Sequence, residues 1–367
     1  MRSRLYHPLP MSSLAIYAGP LALKKLQKDG FRQEHFRVLV GASGGPKWFV
    51  LTGMDRYLFG EFFANRRTEL YTVGSSVGAW RMCCFATSDP VGSVERLAHY
   101  YSHEKYSAKP TVKEVTDSAL LMLSKVLGEN GAEEIVSNEI LCTHIVADRC
   151  KGIGSSKFKS LQALHLALSA FCNLISRRSL SLFFERTLFV NNEQFSPWSN
   201  LDDLSSTIAQ LTQTNILEAM LATGSIPFVL EGVRDIENAK NGLYWDGGIT
   251  DYHFDWQFDM GNELVLYPHF SSQVIPGWFD KQIKWRKVNN EHLNNVVLLV
   301  PSKEFVSNLP GQKIPDRNDF RRYDYETRVK VWQEVIEKSE AIAEDLKLLV
   351  NDGVGLDRIQ PISERDR

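Results

Sequence analysis

The stretch that decides the fold is Glu69-Leu70-Tyr71-Thr72-Val73 followed by Gly74-Ser75-Ser76-Val77-Gly78. The first five residues form a β-like run, and the last five open a helix-like run. A strand, Gly-x-Ser-x-Gly and a helix in this order predict a tight turn that presents a nucleophilic serine. Glycine is needed at both ends because the turn has no room for side chains there. Ser76 is the middle residue of the motif, whereas Ser75 fills its first variable position.

The start of the helix after Ser76 favours negative charge. The positive end of the helix dipole points at the serine, so the N–H of Val77 is a candidate donor to an oxyanion. Gly-x-Ser-x-Gly alone is weak support for this function, because it occurs by chance in many loops. Two further motifs strengthen it.

A glycine-rich loop lies upstream, between the apolar run Val38-Leu39-Val40 and a helix-like run at 49–54. It reads Gly41-Ala42-Ser43-Gly44-Gly45-Pro46-Lys47-Trp48. Such a loop presents backbone N–H groups to an anion. A phosphate-binding P-loop is excluded, because it needs glycine before the lysine and Ser or Thr after it. The spacing does not match a dinucleotide fingerprint either. An oxyanion hole remains, with Gly44 and Gly45 as donors, since Pro46 has no N–H.

The third motif is Asp246-Gly247-Gly248, which follows the short aromatic run Leu243-Tyr244-Trp245. An aspartate held on this turn is a candidate general base that takes the proton of a serine hydroxyl. Alone, Asp-Gly-Gly is more often a plain turn.

Together and in this order, the three motifs resemble those of the patatin-like phospholipases. The segment Ala219-Met220-Leu221-Ala222-Thr223-Gly224-Ser225-Ile226-Pro227-Phe228-Val229 is similar to the segment before Asp-Gly-Gly in that family. The resemblance covers roughly residues 36 to 255. It implies a three-layer α/β/α sandwich with a mostly parallel central sheet. It also implies a Ser76–Asp246 dyad with Gly44 and Gly45 as oxyanion donors.

The glycine loop departs from the family at two positions. The family has three glycines, a variable residue, Arg or Lys, and glycine. Here Ser43 stands at the first glycine and Trp48 at the last, while Lys47 keeps the basic position.

Composition and charge exclude some classes of protein. The chain has 367 residues, of which 43% are hydrophobic and 23% charged, as in an ordinary globular protein. A net charge of −2 gives no basic excess for nucleic acid. Five cysteines without regular spacing favour a reduced, cytoplasmic setting. Cys142, His144 and Cys150 lack a paired ligand set, so no metal site is predicted. Residues 1 to 15 contain no apolar run typical of a signal peptide.

Alternating strand-like and helix-like runs predict an α/β fold. We expect one domain over residues 1–367, with a catalytic core at about 36–255 and a C-terminal extension at 256–367. The predicted strands are 37–41, 69–73, 142–147, 186–190, 243–246, 263–268 and 296–301. The predicted helices are 19–28, 47–59, 77–86, 112–127, 132–138, 205–222 and 323–351. The last helix ends at the glycine stop signal Gly353, and residues 354–367 are expected to be loose.

Two apolar segments have alternative interpretations. The run from Leu161 to Ile175 is too short to span a membrane, which takes about 20 residues. We favour a buried helix there over a cap that lines an acyl-chain pocket. In the segment 276–287, the aromatic residues Trp278, Phe279 and Trp285 stand beside basic ones. This pattern suits either a surface for anionic lipid or plain packing.

A triad histidine is the alternative to an aspartate base. His253 and His269 follow Asp246 in the chain order of an α/β-hydrolase. We expect neither to take part, because the Asp-Gly-Gly turn already supplies a base.

The sequence thus predicts a serine hydrolase of lipid esters of the phospholipase A, lysophospholipase or non-specific lipid esterase type. It works through an acyl-enzyme on Ser76 without a cofactor. The partners are the ester substrate and, as one alternative, a membrane surface. The other interpretations are a non-catalytic lipid-binding or regulatory protein on the same fold, and a hydrolase of thioesters or water-soluble esters.

Overall fold

The computed structural model of the chain describes residues 12–192, 196–198 and 201–365. Most of the segment 1–15, for which no signal peptide is predicted, therefore lies outside the described residues. The strands are Leu14–Ala18 (β1), Phe36–Gly41 (β2), Leu70–Ser75 (β3), Leu141–Cys150 (β4), Phe184–Val190 (β5), Ser206–Gln210 (β6), Val233–Arg234 (β7), Leu243–Asp246 (β8), Leu264–Pro268 (β9), Val296–Pro301 (β10) and Gln360–Pro361 (β11). The α-helices are Pro20–Asp29 (α1), Thr52–Tyr57 (α2), Val77–Phe85 (α3), Pro90–Ser102 (α4), Val112–Leu127 (α5), Gly131–Val136 (α6), Lys159–Ile175 (α7), Ile216–Gly224 (α8), Lys303–Ser307 (α9), Asp319–Arg322 (α10), Tyr325–Lys338 (α11) and Glu340–Asp352 (α12).

The eleven strands of the described part form one mostly parallel sheet. Its order is β11-β1-β10-β9-β2-β3-β4-β5-β6, and β8 pairs with both β4 and β7. The pairs β9–β10, β9–β2, β2–β3 and β3–β4 at its centre are all parallel. The predicted α/β fold, an α/β/α arrangement around a mostly parallel sheet, is confirmed.

The centre of the sheet is buried from both sides. Helix α3 packs on β2, β3 and β4, and α4 packs on α3. On another part of the sheet, Trp198 lies over His144 and Tyr71, with ring centroids 4.5 Å and 6.0 Å away. Because β2 and β3 are buried along almost their whole length, they read as continuous apolar runs rather than as alternating ones.

The seven predicted strands are present, but two predicted helices are wrong. The range 205–222 contains strand β6, parallel to β5, and only then α8. Pairing with a neighbouring strand overrides the helical preference there. The range 323–351 is two helices that meet at Ser339, whose hydroxyl accepts a hydrogen bond from the N–H of Gly53. The predicted stop is confirmed, since Gly353 ends α12 in the left-handed conformation.

The predicted helix 47–59 begins as a 3₁₀ segment, Gly45–Leu51, and becomes α-helical only in α2. The expected loose end at 354–367 is also wrong in part. Strand β11 pairs with β1, and Ile362 is buried. Residues 366 and 367 lie outside the described residues.

The apolar run from Leu161 to Ile175 forms a helix, α7, but the expectation that it is buried is wrong. Its large apolar side chains face solvent, with Phe171 63% and Ile175 80% exposed. None of the helices in the described ranges is both long and apolar enough to cross a membrane.

Candidate active site

The turn at Ser76 is a strained link between β3 and α3. Ser76 has φ 53° and ψ −134°, a conformation that a side-chain-bearing residue rarely adopts. The close approach of the glycine loop explains Gly78, because a Cβ there would lie 2.0 Å from the carbonyl oxygen of Gly41. Gly74 is similarly constrained, since its Cβ would lie 2.4 Å from the N atom of Ala79. Gly78 therefore lets the turn close against β2, and Gly74 lets it close against the start of α3.

Ser76 and Asp246 are hydrogen-bonded. Ser76 Oγ donates to Asp246 Oδ2 at 3.0 Å, and both residues are buried. The other carboxylate oxygen, Oδ1, accepts from the N–H of Gly248 at 2.7 Å. One oxygen of the aspartate is thus held by the Asp-Gly-Gly turn, and the other faces the serine hydroxyl.

The segment 219–229 fixes both residues through its own polar groups. Thr223 Oγ1 accepts from the N–H of Ser76 at 2.8 Å and donates to the carbonyl oxygen of Val146. The N–H of Asp246 donates to the carbonyl oxygen of Ser225 at 2.9 Å. This segment therefore ties the serine turn, β4 and the aspartate strand together.

The side chain of Ser75 is used in hydrogen bonds that hold neighbouring segments together, so Ser75 is not a second nucleophile candidate. Its side chain is fully buried, and Oγ donates to the carbonyl oxygen of Asp251 at 2.5 Å. Ser43 Oγ lies 2.7 Å from Ser75 Oγ. A glycine at position 43 cannot make this contact, so Ser43 links the glycine loop to the serine strand.

Trp48, the second departure, belongs to the core behind the loop. Its indole Nε1–H donates to Asp55 Oδ2 at 2.7 Å, and Asp55 forms a buried ion pair with Arg81 at 2.6 Å. Trp48 therefore satisfies part of a buried charge network. Lys47, at the family's basic position, lies with Nζ 5.0 Å from the ring centroid of Phe270. Burial and then repulsion from Arg317 lower the pKa of Lys47.

The three predicted oxyanion donors stand at different places around the serine. Gly44 lines a small cavity together with Ser76 and Asp246. Val77 lines a larger cavity that also reaches Ser76. Gly45, with φ 56°, lines neither, and a Cβ there would lie 3.2 Å from Arg317 Nε. Of the two loop glycines, Gly44 is the one exposed to a ligand beside Ser76.

Burial governs the titration of Asp246. It raises the pKa of Asp246 above the ordinary carboxyl value. The Arg317 guanidinium, the N–H of Gly248 and the Ser76 hydroxyl offset part of this effect. A carboxylate with a raised pKa that faces a serine hydroxyl is a better proton acceptor than an ordinary one.

Two cavities meet at Ser76. The small cavity has a volume of about 20 Å³, which leaves room for little more than a reacting group. Asp246, Lys281 and Arg317 line it. The larger one is about 710 Å³ and lies between α5 and the segment 317–328. Its apolar wall includes Trp80, Val115, Ala119, Met122, Val229 and Leu230. Arginines and tyrosines of the segment 317–328 form the other wall.

Lys281 and Arg317 are site residues that the motifs do not indicate. Both lie beyond residue 255, in the predicted C-terminal extension, and no spacing in the sequence connects them to Ser76. The Lys281 side chain stays partly in solvent, with Nζ 3.7 Å from the ring centroid of Tyr252. Partial burial of the ammonium group, then repulsion from Arg317 and Lys47, lower the pKa of Lys281 to about 7.

His253 and His269 line neither of the two cavities at Ser76. His253 Nδ1 accepts from the N–H of Ile275 at 2.8 Å, and His269 Nδ1 accepts from the N–H of Ser271 at 2.9 Å. Burial lowers the pKa of His253 well below its usual value and that of His269 to about 3. Burial thus favours the neutral form of both rings. In the described ranges, no group of three or more His, Cys, Asp or Glu side chains is arranged to hold a metal ion.

Comparison with known proteins gives a likeness to solved structures. No protein-family profile matches the chain, and no curated protein matches it. Among solved structures, the chain is similar to VipD from Legionella pneumophila, with 13% sequence identity and a TM-score of 0.31. The match covers 74% of this chain and 55% of the VipD chain, so this chain spans about half the length of that protein.

Proposed function

We propose that the protein is a serine hydrolase of lipid acyl esters that uses a Ser76–Asp246 dyad. The hydrogen bond of 3.0 Å between Ser76 Oγ and Asp246 Oδ2 carries this proposal. It joins a hydroxyl on a strained turn to a buried carboxylate with a raised pKa. A nucleophile within hydrogen-bond reach of a base that is itself oriented by a third group is the arrangement covalent catalysis requires.

The reaction follows from this geometry. Asp246 takes the hydroxyl proton while Ser76 Oγ bonds to the acyl carbon, and negative charge develops on the carbonyl oxygen. The N–H groups of Gly44 and Val77, with Gly45 as the third candidate, stabilise that oxyanion. The C–O bond to the alcohol then breaks, and the alcohol takes the proton from Asp246. Water attacks the acyl-enzyme with Asp246 again as base, which releases the fatty acid and restores Ser76.

The larger cavity supports an acyl-chain substrate. At about 710 Å³ it falls in the size range of small-molecule sites, about 300–1,000 Å³. Its apolar wall includes Ala119, Met122 and Leu230, and Ser76 stands at its edge. An acyl chain placed along this wall has its carbonyl carbon at the serine.

The cations around the serine support an ester that also carries an anionic group. Lys281 and Arg317 share the small cavity with Ser76, and their charges, together with that of Lys47, repel one another. Asp246 is the carboxylate whose charge acts on Lys281. A substrate phosphate or carboxylate relieves this repulsion, so we propose that anionic esters are preferred over neutral ones.

Labelling with a fluorophosphonate probe tests the proposed nucleophile. We expect labelling of the wild type and of Ser75→Ala, with none in Ser76→Ala and strongly reduced labelling in Asp246→Asn. A folded wild type that resists the probe and cleaves no member of an ester panel contradicts the proposal and favours the lipid-binding alternative. A panel that includes thioesters and soluble esters decides the substrate class.

A further inference from the structure

Helix α7 is amphipathic in the opposite sense to an ordinary surface helix. Its buried residues are the polar side chains His165, Ser169 and Asn173. Its exposed large side chains are apolar, namely Leu164, Leu168, Phe171, Leu174 and Ile175. A surface helix normally buries its apolar stripe. An apolar stripe turned outward therefore marks an interaction surface rather than a part of the core.

Neighbouring segments carry further exposed apolar side chains. Phe158, just before α7, is 71% exposed, and Leu182, in the turn that packs against α7, is 73% exposed. Trp285 is 72% exposed and precedes Arg286, whose guanidinium donates to the carbonyl oxygen of Asn173 at 2.6 Å. We call the exposed apolar side chains of α7, with Phe158, Leu182 and Trp285, the α7 surface.

The chain segment that carries α7 contains only basic charged residues, and one of them, Arg177, is paired with Asp203 and Asp251 from elsewhere in the chain. Between Lys151 and Phe184 there are five Lys and Arg residues and no Asp or Glu, although the whole chain has a net charge of −2. Lys157 and Lys159 stand at one end of the helix and Arg178 at the other, all exposed. An apolar stripe bounded by basic residues matches the interface of a bilayer that contains anionic lipid.

The α7 surface is joined to the candidate active site by one hydrogen-bond network. Asn173 Nδ2 donates to Asp280 Oδ1 at 2.7 Å, and Arg286 donates to the same oxygen at 2.7 Å. Asp280 belongs to the single-turn helix Trp278–Gln282, whose Trp278 and Lys281 line the small cavity beside Ser76. A partner on the α7 surface therefore lies next to one wall of that cavity.

We propose that the α7 surface docks the protein on bilayers containing anionic lipid. Phe171, Ile175 and Trp285 enter the interface, while Lys157, Lys159 and Arg178 contact lipid headgroups. The helix lies in the plane of the membrane, since none of the described helices is both long and apolar enough to span it and its polar face is buried against the protein. Docking depends on this surface alone, so it holds or fails separately from the chemistry at Ser76.

Vesicle co-sedimentation tests the proposal with the full chain. We expect the wild type to bind vesicles of phosphatidylcholine with phosphatidylserine more strongly than phosphatidylcholine alone. The variant Phe171→Ser/Ile175→Ser should lose about tenfold or more in partitioning, because two large apolar side chains no longer insert. Lys157→Gln/Lys159→Gln/Arg178→Gln should lose the preference for phosphatidylserine. The matched control Leu121→Ser/Leu348→Ser removes two exposed apolar side chains elsewhere and should bind like the wild type.

Two measurements separate docking from misfolding and self-association. Thermal unfolding followed by circular dichroism should be the same for wild type and Phe171→Ser/Ile175→Ser, since both changes are at exposed positions. Equal partitioning of these two proteins, or no vesicle binding by the wild type, overturns the proposal. A wild-type dimer that this variant converts to a monomer shows that a second copy covers the surface, and it also overturns the proposal.

Discussion

Ser76 Oγ and Asp246 Oδ2 lie 3.0 Å apart although 170 positions separate the two residues in the chain. Strand β4 brings them together. Ser75, at the end of β3, is the partner of Val146, and Asp246, at the end of β8, is the partner of Ala147. The two strands thus meet end to end along one side of β4, with the serine turn and the aspartate turn at the junction.

This relationship predicts that the two side chains act as one unit. Asp246→Asn should lower kcat/KM for an ester by about 10²–10⁴, the usual contribution of a general base. Ser76→Ala should lower it at least as much, and the double variant should match Ser76→Ala rather than show the product of the two losses. Steady-state kinetics on a short-chain ester measure all three.

Ser75→Ala is the matched control for this prediction, because it removes a hydroxyl one position away. It should keep most of kcat/KM, with a loss of stability from the missing hydrogen bond to the Asp251 carbonyl. Multiplicative losses in the double variant contradict a dyad.

The pH dependence of activity should reveal the raised pKa of Asp246. The base must be ionised to accept a proton, so kcat/KM for a neutral ester should fall as the pH drops through a value above the ordinary 3.9 or so of an aspartate. Arg317→Gln should move this acid limb to higher pH, because the guanidinium favours the carboxylate. An unmoved acid limb in a folded Arg317→Gln variant contradicts the assignment of the limb to Asp246.

The raised pKa of Asp246 also predicts how the stability of the fold depends on pH. A folded-state pKa above the unfolded value means that the folded state binds the proton more tightly. The resulting stabilisation is present at low pH and lost as the pH rises through the folded-state pKa. At neutral pH, Asp246→Asn should therefore unfold at a higher temperature than the wild type. The difference should shrink in acid, and thermal unfolding at both pH values measures it.

The cations in the small cavity predict a selectivity that depends on charge. Arg317→Gln and Lys281→Gln should each lower the ratio of kcat/KM for an anionic ester to that for a neutral one by about tenfold, the loss of one charge-assisted hydrogen bond. Because the pKa of Lys281 is about 7, the wild-type ratio should fall as the pH rises through 7. In Lys281→Gln this fall should be absent.

Lys284→Gln is the control for Lys281→Gln. It removes a lysine from the same segment at an exposed position outside the walls of both cavities. Its selectivity should equal that of the wild type. Unchanged selectivity in both Arg317→Gln and Lys281→Gln contradicts the proposed anionic substrate.

The sequence indicated the two turns that carry Ser76 and Asp246, but it did not indicate the other residues that line the cavity. Gly-x-Ser-x-Gly and Asp-Gly-Gly indicate tight turns by local sterics alone, and those turns hold Ser76 and Asp246. Lys281 and Arg317 reach the site only because segments beyond residue 255 fold back over it, which no local pattern encodes. Their side chains are part of the cavity through tertiary structure alone.

The exposure of helix α7 could not be predicted from its apolar residues, for a different reason. An apolar run of this length looks the same whether it lies inside the protein or at a surface. The signal that distinguishes them is the polar stripe of His165, Ser169 and Asn173, spaced four residues apart on one face. In the structure that polar stripe is buried, so the apolar side of the helix faces solvent.

Trp48 gives a prediction about the altered glycine loop. Replacing it with glycine, Trp48→Gly, should lower the free energy of unfolding by about 3–5 kcal/mol, because a fully buried indole is lost. Trp48→Phe keeps most of the volume but leaves Asp55 Oδ2 without the indole N–H. It should cost about 1–3 kcal/mol, the usual effect of removing a partner from a buried polar group. Urea unfolding of the three proteins gives these differences, and a Trp48→Gly variant as stable as the wild type contradicts a stabilising role for the buried indole.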